Sequence, residues 1–382
     1  MHYLDHNATS PIRPEVRAAM LAAWDVGGNP SSVHAAGRAS RAVVEKARVQ
    51  VARLAHVPAD NVIFTGGGTE SLWLALNGAG HGALEVEARI TRLFISAIEH
   101  DAVRANAHAL AERVAGLRVE TIPVRHDGVV DIEVLRNMLR QGKGRALVAV
   151  MAANNETGVI QPIVEISAVA REFDALLLMD AVQAAGKLEM ERSSPHVDYI
   201  ALSAHKLGGP QGVGALALRE GAPFAAQFLG GGQEMRRRSG TQNVPGIAGF
   251  GAAAELAVDN ARLTALRDKF ETGLKEIASD SVIFGRTAPR LANTSCFALP
   301  GITAETALMA LDLDGVMVSS GSACSSGKVA RSHVLDAMGV DEALSRCAMR
   351  VSLGWNSDEA DIDACLAALK TLAARARARV AA

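Results

Sequence analysis

Lys206 stands between an apolar run and a glycine-proline turn in Y-I-A-L-S-A-H-K-L-G-G-P-Q-G-V-G-A-L, residues 199–216. Two short hydrophobic runs around that turn read as strand, turn, strand, with the lysine at the lip of the first. An amine held there loses hydration, which lowers its pKa and favours the neutral form that condenses with an aldehyde. A lysine at a strand end also commonly snorkels to water, so its neighbours decide between the two readings.

Those neighbours are polar residues at the ends of other apolar runs. T-G-G-G-T-E-S at 65–71 follows one such run and opens a helical pattern, so the backbone N–H groups around Gly68 and Thr69 suit a phosphate. The segment lacks the Gly-Lys-Ser/Thr of a nucleotide-binding P-loop. Asp180 closes L-L-L-M-D, where an ionised carboxylate after a buried strand needs a cationic partner. Gln183 follows one turn on, and Ser203 and His205 precede the lysine. A phosphate cradle, a carboxylate and a lysine are the three handles of pyridoxal 5′-phosphate, whose pyridine nitrogen must stay protonated for the ring to draw in electrons.

The elements that must position these residues alternate along the chain. Strand-like runs at 62–65, 93–96, 119–124, 146–151 and 175–180 are separated by helical patterns near 69–79, 101–115, 131–141 and 163–173. That alternation predicts an α/β fold with a mostly parallel sheet wrapped by helices, whose ligands bind beyond the carboxyl ends of the strands. The strand-turn-strand around Lys206 adds an edge that breaks the pattern. Before the first of these strands come a short strand at 2–4 and helices over 14–24 and 38–56; after the arginine-rich loop at 230–241, one long helix is expected from Pro245 towards Leu274. Mixed elements follow: strand-like T-S-C-F-A-L, a helix over 304–313, strand-like V-M-V-S, a loop of small residues, then M-R-V-S-L and a last helix. The expected division is a large cofactor domain over 14–258 and a smaller α+β domain made of 1–13 and 259–382.

Composition narrows the function classes. The chain has 382 residues, 49% of them hydrophobic, which is enough for a large core. A formal net charge of -2 gives no electrostatic case for nucleic acid or an anionic membrane surface. No apolar run approaches the roughly 20 residues that cross a bilayer, and no signal peptide is evident, so a cytoplasmic location is expected. Four cysteines without a C-x-x-C pair argue against a disulfide framework and a zinc site. Thiol chemistry is what remains, and Cys324 is its candidate. Cys296, Cys347 and Cys365 lie in apolar patterns typical of inert core residues, whereas Cys324 lies in S-S-G-S-A-C-S-S-G, too small and polar to form a core.

The motifs D-A-V-Q-A-A-G-K, S-A-H-K, A-N-N-E-T-G, G-N-P-S-S-V-H, R-R-S-G-T and S-S-G-S-A-C-S-S-G, in order from Tyr3 to the Arg350 region, together resemble the cysteine desulfurases of the NifS/IscS group. That group has the class V aminotransferase-like, fold type I architecture of pyridoxal-phosphate enzymes. The resemblance implies that Lys206 holds the cofactor aldehyde, that Asp180 partners the pyridinium and that Gln183 donates to the ring oxygen. It implies a phosphate site of Gly68, Thr69, Ser203 and His205, joined by Thr241 from a second subunit of a homodimer. His100 would stack on the ring and act as acid and base, and Asn155 and Arg350 would grip the substrate carboxylate.

By the same resemblance Cys324 accepts sulfur from L-cysteine, leaving alanine and a persulfide that serves an iron-sulfur scaffold protein. No resident metal is implied; Cys324 would at most ligate a nascent iron-sulfur cluster transiently. Trp355 stands in R-V-S-L-G-W where a basic or aromatic residue followed by a threonine-rich turn is expected, and that turn is missing; the short tail points to a NifS-like role in nitrogen fixation. Alternatives left open are selenocysteine lyase, another enzyme of this fold such as an aminotransferase, and a non-catalytic sulfur-carrier or assembly subunit.

Overall fold

The computed structural model describes residues 1–81, 89–190, 196–256, 258–320 and 331–381. Its strands, in chain order, are β1 (His2–Tyr3), β2 (Val62–Thr65), β3 (Ile90–Ser96), β4 (Arg118–Ile122), β5 (Arg145–Met151), β6 (Leu176–Asp180), β7 (Tyr199–Ser203), β8 (Gly214–Leu218), β9 (Val282–Ile283), β10 (Thr294–Ala298), β11 (Val316–Met317) and β12 (Ala348–Ser352). A seven-stranded sheet runs in the order β2-β8-β7-β6-β5-β3-β4. All its pairings are parallel except those of β8, which is antiparallel to β2 and to β7.

The central strands are mostly apolar because both faces are covered. Successive residues of a strand point to opposite faces, and the packing follows that alternation. Val148, Val150, Leu177, Met179, Ile200 and Leu202 join one core with residues of the helices Pro14–Val26, Ala35–Ala55, Ile163–Glu172 and Val244–Ala254. Leu147, Ala149, Leu176, Leu178, Tyr199 and Ala201 join another with the helices Gly68–His81 and Asp101–Arg113. Each large aliphatic side chain so buried contributes roughly 1.5–3 kcal/mol.

A separate antiparallel sheet, β12-β10-β9, packs Phe297, Met349 and Val351 against the helices Asn260–Ile277 and Glu359–Ala381 through Phe270, Leu274, Ile362 and Leu369. The first strand, β1, runs parallel to β11, and Leu4 enters this same core. From there residues 5–13 cross to the Lys206 turn: Asp5 bridges Ser352, and the Ser10 and Arg13 N–H groups donate to the carbonyls of His205 and Gly208.

Three expectations about elements are corrected. The strand pair around Lys206 is not at an edge, because β2 caps β8 on its outer side. Lys206 itself sits beyond β7, on the single 3-10 turn Ala204–Leu207 that ends at left-handed Gly208 (φ 78°). A side chain at Gly208 would also strike Arg13, with a Cβ 2.8 Å from its Cγ. The long helix expected from Pro245 is two helices. The first closes at Glu255, and Asp259 starts the second by accepting from the Arg262 N–H, a local bond that competes with helical continuation. The helix expected over 38–56 begins at Ala35, where the His34 side chain accepts from the Gly37 N–H.

Candidate active site

β6 ends on Asp180 and β7 on Ser203, while β5 ends on Met151 and the turn after β3 carries Glu99 and His100. These carboxyl ends converge on a cavity of about 380 Å³ lined by Gly68, Thr69, His100, Asn155, Asp180, Gln183, Ser203, His205, Lys206 and Arg350, with Asp5 and Asn7 from the N-terminal crossing. A wider outer cleft of about 910 Å³ shares Ala8, Gly68, Thr69, Ser203 and His205 with it. All the sequence-derived candidates gather here save two. Thr241 is exposed and lines neither space. Cys324 lies outside the described residues, although Ser319 lines the inner cavity and Ser332 and His333 bind its turns, the former donating to Glu156 (2.6 Å) and the latter bonding the Glu99 carbonyl (2.9 Å).

Lys206 is half-buried, and its amine donates to the carbonyls of Asn7 (2.6 Å) and Ala8 (2.8 Å). Burial first, and the Arg350 charge second, lower its pKa to about 8, against the pull of Asp5 and Asp180. A neutral amine is therefore accessible near neutral pH. Asp180 is 6% exposed, accepts from the Val182 N–H (2.9 Å) and forms no ion pair among the described residues. Burial raises its pKa, and the Val182 N–H, His100 and Lys206 oppose the rise. A carboxylate in that position wants a cation delivered from the cavity.

His100 caps the helix Asp101–Arg113, its Nδ1 accepting from the Ala102 N–H at 3.0 Å. In the neutral ring the proton therefore sits on Nε2. His205 bonds Thr9 Oγ1 (3.1 Å), and burial with the Lys206 charge drops its pKa to about 4, so it is neutral at physiological pH. The first N–H groups of the helix Gly68–His81 lack intrahelical acceptors. A Cβ on Gly68 would come within 2.8 Å of Val182 Cγ2 and 3.4 Å of Ser203 Cβ, so glycine keeps that cradle open.

Arg350, on β12, donates through Nη2 to Asp5 (2.6 Å) and through Nη1 to the Asn155 carbonyl (2.9 Å), while its buried Nε has no partner among the described residues. The three remaining cysteines are buried and line neither of these spaces. Burial pushes the Cys365 thiol to about 12 and Cys296 higher still, so neither supplies a thiolate.

The residues fit pyridoxal phosphate on structural grounds. The cradle at Gly68 suits its phosphate, the unpaired Asp180 carboxylate its ring nitrogen, and the depressed-pKa Lys206 its aldehyde. Four participants in this site were not singled out from the sequence. Asn7 is a junction: its carbonyl accepts from Lys206 and Gln183, and its side chain bonds Lys187, Asn293, Thr294 and the Asn155 carbonyl. Asp5 pairs with Arg350, Lys187 holds Gln183 (3.0 Å), and Glu99 lies buried beside His100. The first turn reads only as D-H-N-A-T-S-P, ordinary turn chemistry. The one available hint was Lys187, an unexplained lysine closing the apolar stretch D-A-V-Q-A-A-G-K.

The chain is similar to known proteins over nearly its whole length. A family model described as aminotransferase class-V matches residues 2–365. An IscS-like cysteine desulfurase of Mycobacterium tuberculosis is 42% identical, covering 99% of this chain and 97% of its own length. A cysteine desulfurase of Sinorhizobium fredii is 41% identical over 98% of this chain and 97% of its own. Among solved structures, a NifS-like protein superposes with a TM-score of 0.89 at 34% identity, covering 97% of this chain and 99% of that one. A structure of SspA in complex with cysteine gives 0.80 at 28% identity, over 94% and 100%.

Proposed function

Because the chain belongs to the class-V aminotransferase family and is a cysteine desulfurase, we propose that it binds pyridoxal 5′-phosphate through Lys206 and passes the sulfur of L-cysteine to Cys324. The observation that carries the proposal is the pair facing one cavity: a lysine amine with its pKa lowered to about 8 and a buried carboxylate, Asp180, with no ion-pair partner among the described residues. When bound, the cofactor supplies an aldehyde for the substrate amine and a ring that takes up electrons from the α-carbon.

In this reading Gly68, Thr69, Ser203 and His205 hold the phosphate, neutral His205 as a hydrogen-bond partner rather than a charge. Asp180 keeps the ring nitrogen protonated, and Gln183 donates to the ring oxygen. Arg350 binds the substrate carboxylate with its unpartnered Nε and an Nη group, held at the correct angle by Asp5 and the Asn155 carbonyl. The Lys206 amine would remove the α-proton. His100 uses its Nε2 proton as acid and base. The Cys324 thiolate attacks the substrate sulfur; the S–S bond forms as the Cβ–S bond breaks, and protonation of the remaining carbon skeleton gives alanine. Ser319 lines the cavity and Ser332 and His333 bond its turns, which supports this role for Cys324.

The same reading divides the chain into a cofactor domain, 14–258, and a smaller domain of 1–13 with 259–382. It makes the protein a homodimer, with Thr241 completing the partner's phosphate site. Exposed Val33 and Leu229 (each 84%) and Trp24 (62%) support an apolar subunit contact, as does the bond between Gln233 and Ser31 that joins their two loops. The persulfide would serve an iron-sulfur scaffold, and its chemistry requires a reducing compartment such as the cytoplasm. Lys206→Ala tests the core of the proposal: alanine formation from L-cysteine should vanish while pyridoxal phosphate is still retained through the cradle. Undiminished turnover in that variant would reject it.

A further inference from the structure

Lys187 is a buried lysine to which the reaction above gives no task. It lies four residues after Gln183, and its amine donates to Gln183 Oε1 (3.0 Å) and Asn7 Oδ1 (3.4 Å). No carboxylate pairs with it among the described residues. The charged and titratable groups that bear on it are Lys206, Arg350 and His6, and none offers a negative charge. A lysine is rarely buried without a counter-ion unless its hydrogen bonds matter.

We propose that Lys187 is a positioning residue that fixes the side-chain amide of Gln183, with its nitrogen towards Asn7 and the cofactor site. The inference rests on the pyridoxal-phosphate reading. As an ammonium Lys187 only donates, and in either state the Asn7 carbonyl only accepts, so Gln183 has one satisfied orientation: Oε1 to Lys187, Nε2 to Asn7 O (2.9 Å). Flipping the amide would set donor against donor at Lys187 and acceptor against acceptor at Asn7. The second Nε2 hydrogen is then left free for a ligand oxygen in the cavity that Gln183 lines. The Asn7 carbonyl that receives Gln183 also receives Lys206, so Lys187 steadies both groups through one residue. Burial, with Lys206 and Arg350, lowers its pKa to about 7; neutral or charged, it retains the two hydrogens this role needs.

The experiment is a double-mutant cycle on the full chain, read by equilibrium dialysis of pyridoxal phosphate and by the absorption maximum of the bound cofactor. Lys187→Met and Gln183→Ala should each weaken binding about tenfold, the loss of one good hydrogen bond, and shift the maximum in the same direction. The double variant should match Gln183→Ala alone, and Lys187→Arg should recover part of the loss. Should Lys187→Met not fold, by circular dichroism, Lys187→Gln replaces it in the cycle. Additive losses, or a Lys187 variant with wild-type affinity and spectrum, would overturn the inference and leave the functional reading intact. A wild-type chain that takes up no pyridoxal phosphate would bring down both.

Discussion

Glu99→Gln should make the protein more stable in alkaline solution and somewhat less stable in acid. Glu99 is fully buried beside His100, its Oε1 receiving the Ser96 hydroxyl and the Met151 N–H, its Oε2 without a partner among the described residues. Burial raises its pKa from 4.5 to about 8, with the Asp180 charge adding to the rise. At about 1.4 kcal/mol for each tenfold change, ionising it in place costs at most about 5 kcal/mol relative to the unfolded chain. Glutamine keeps the acceptor at Oε1 but places an unpaired N–H near Oε2, a penalty of about 1–3 kcal/mol, so a net gain of about 2–4 kcal/mol is expected. Because the folded pKa is the raised one, the stability tied to this group is whole below pH 4.5. It falls as pH rises towards 8 and is fully lost above it. Urea unfolding of both chains without added cofactor, at about pH 5, 7 and 9, should show a difference that grows with pH. A constant offset across that range would refute the assignment of a neutral, buried Glu99.

Gly68→Ala should lower pyridoxal-phosphate affinity about tenfold or more, since its Cβ would press on Val182 and Ser203 at the cradle; equilibrium dialysis checks it. Arg350→Lys keeps the charge but not the fork, and steady-state kinetics should show KM for L-cysteine rising about 10- to 100-fold, with cofactor binding unaffected. If Thr241 completes the partner's site, Lys206→Ala and Thr241→Ala chains, each impaired alone, should regain activity when mixed and allowed to exchange subunits; no recovery would argue that each chain works by itself.

What could be read beforehand was what depends on local pattern. The apolar runs at 62–65 and 146–151 became β2 and β5 with little change because two buried faces demand such runs. Asp180 and Ser203 were placed by the same logic, as the residues that end them. Other features depend on partners distant in sequence. That β8 is internal follows from its pairing with β2, some 150 residues earlier, and the helix break at 255–259 follows from one side-chain bond. Asn7, Asp5 and Lys187 enter the site through contacts between residues 180 to 345 positions apart. Nothing local distinguishes an asparagine that joins two lysines from one that makes a turn. Arg350 was expected to meet a carboxylate, and it already holds one, Asp5.

The central claim is that sulfur leaves L-cysteine and comes to rest on one thiol. The most direct test exposes the wild-type protein, loaded with pyridoxal phosphate, to L-cysteine without reductant, then traps free and sulfur-bearing thiols by alkylation and reads the peptides by mass spectrometry while alanine is counted. The expected result is one alanine per extra sulfur atom, with that atom on the Cys324 peptide and none on Cys296, Cys347 or Cys365, whose thiols are buried. Alanine formed with no sulfur on Cys324, or sulfur on a buried cysteine instead, would contradict the account.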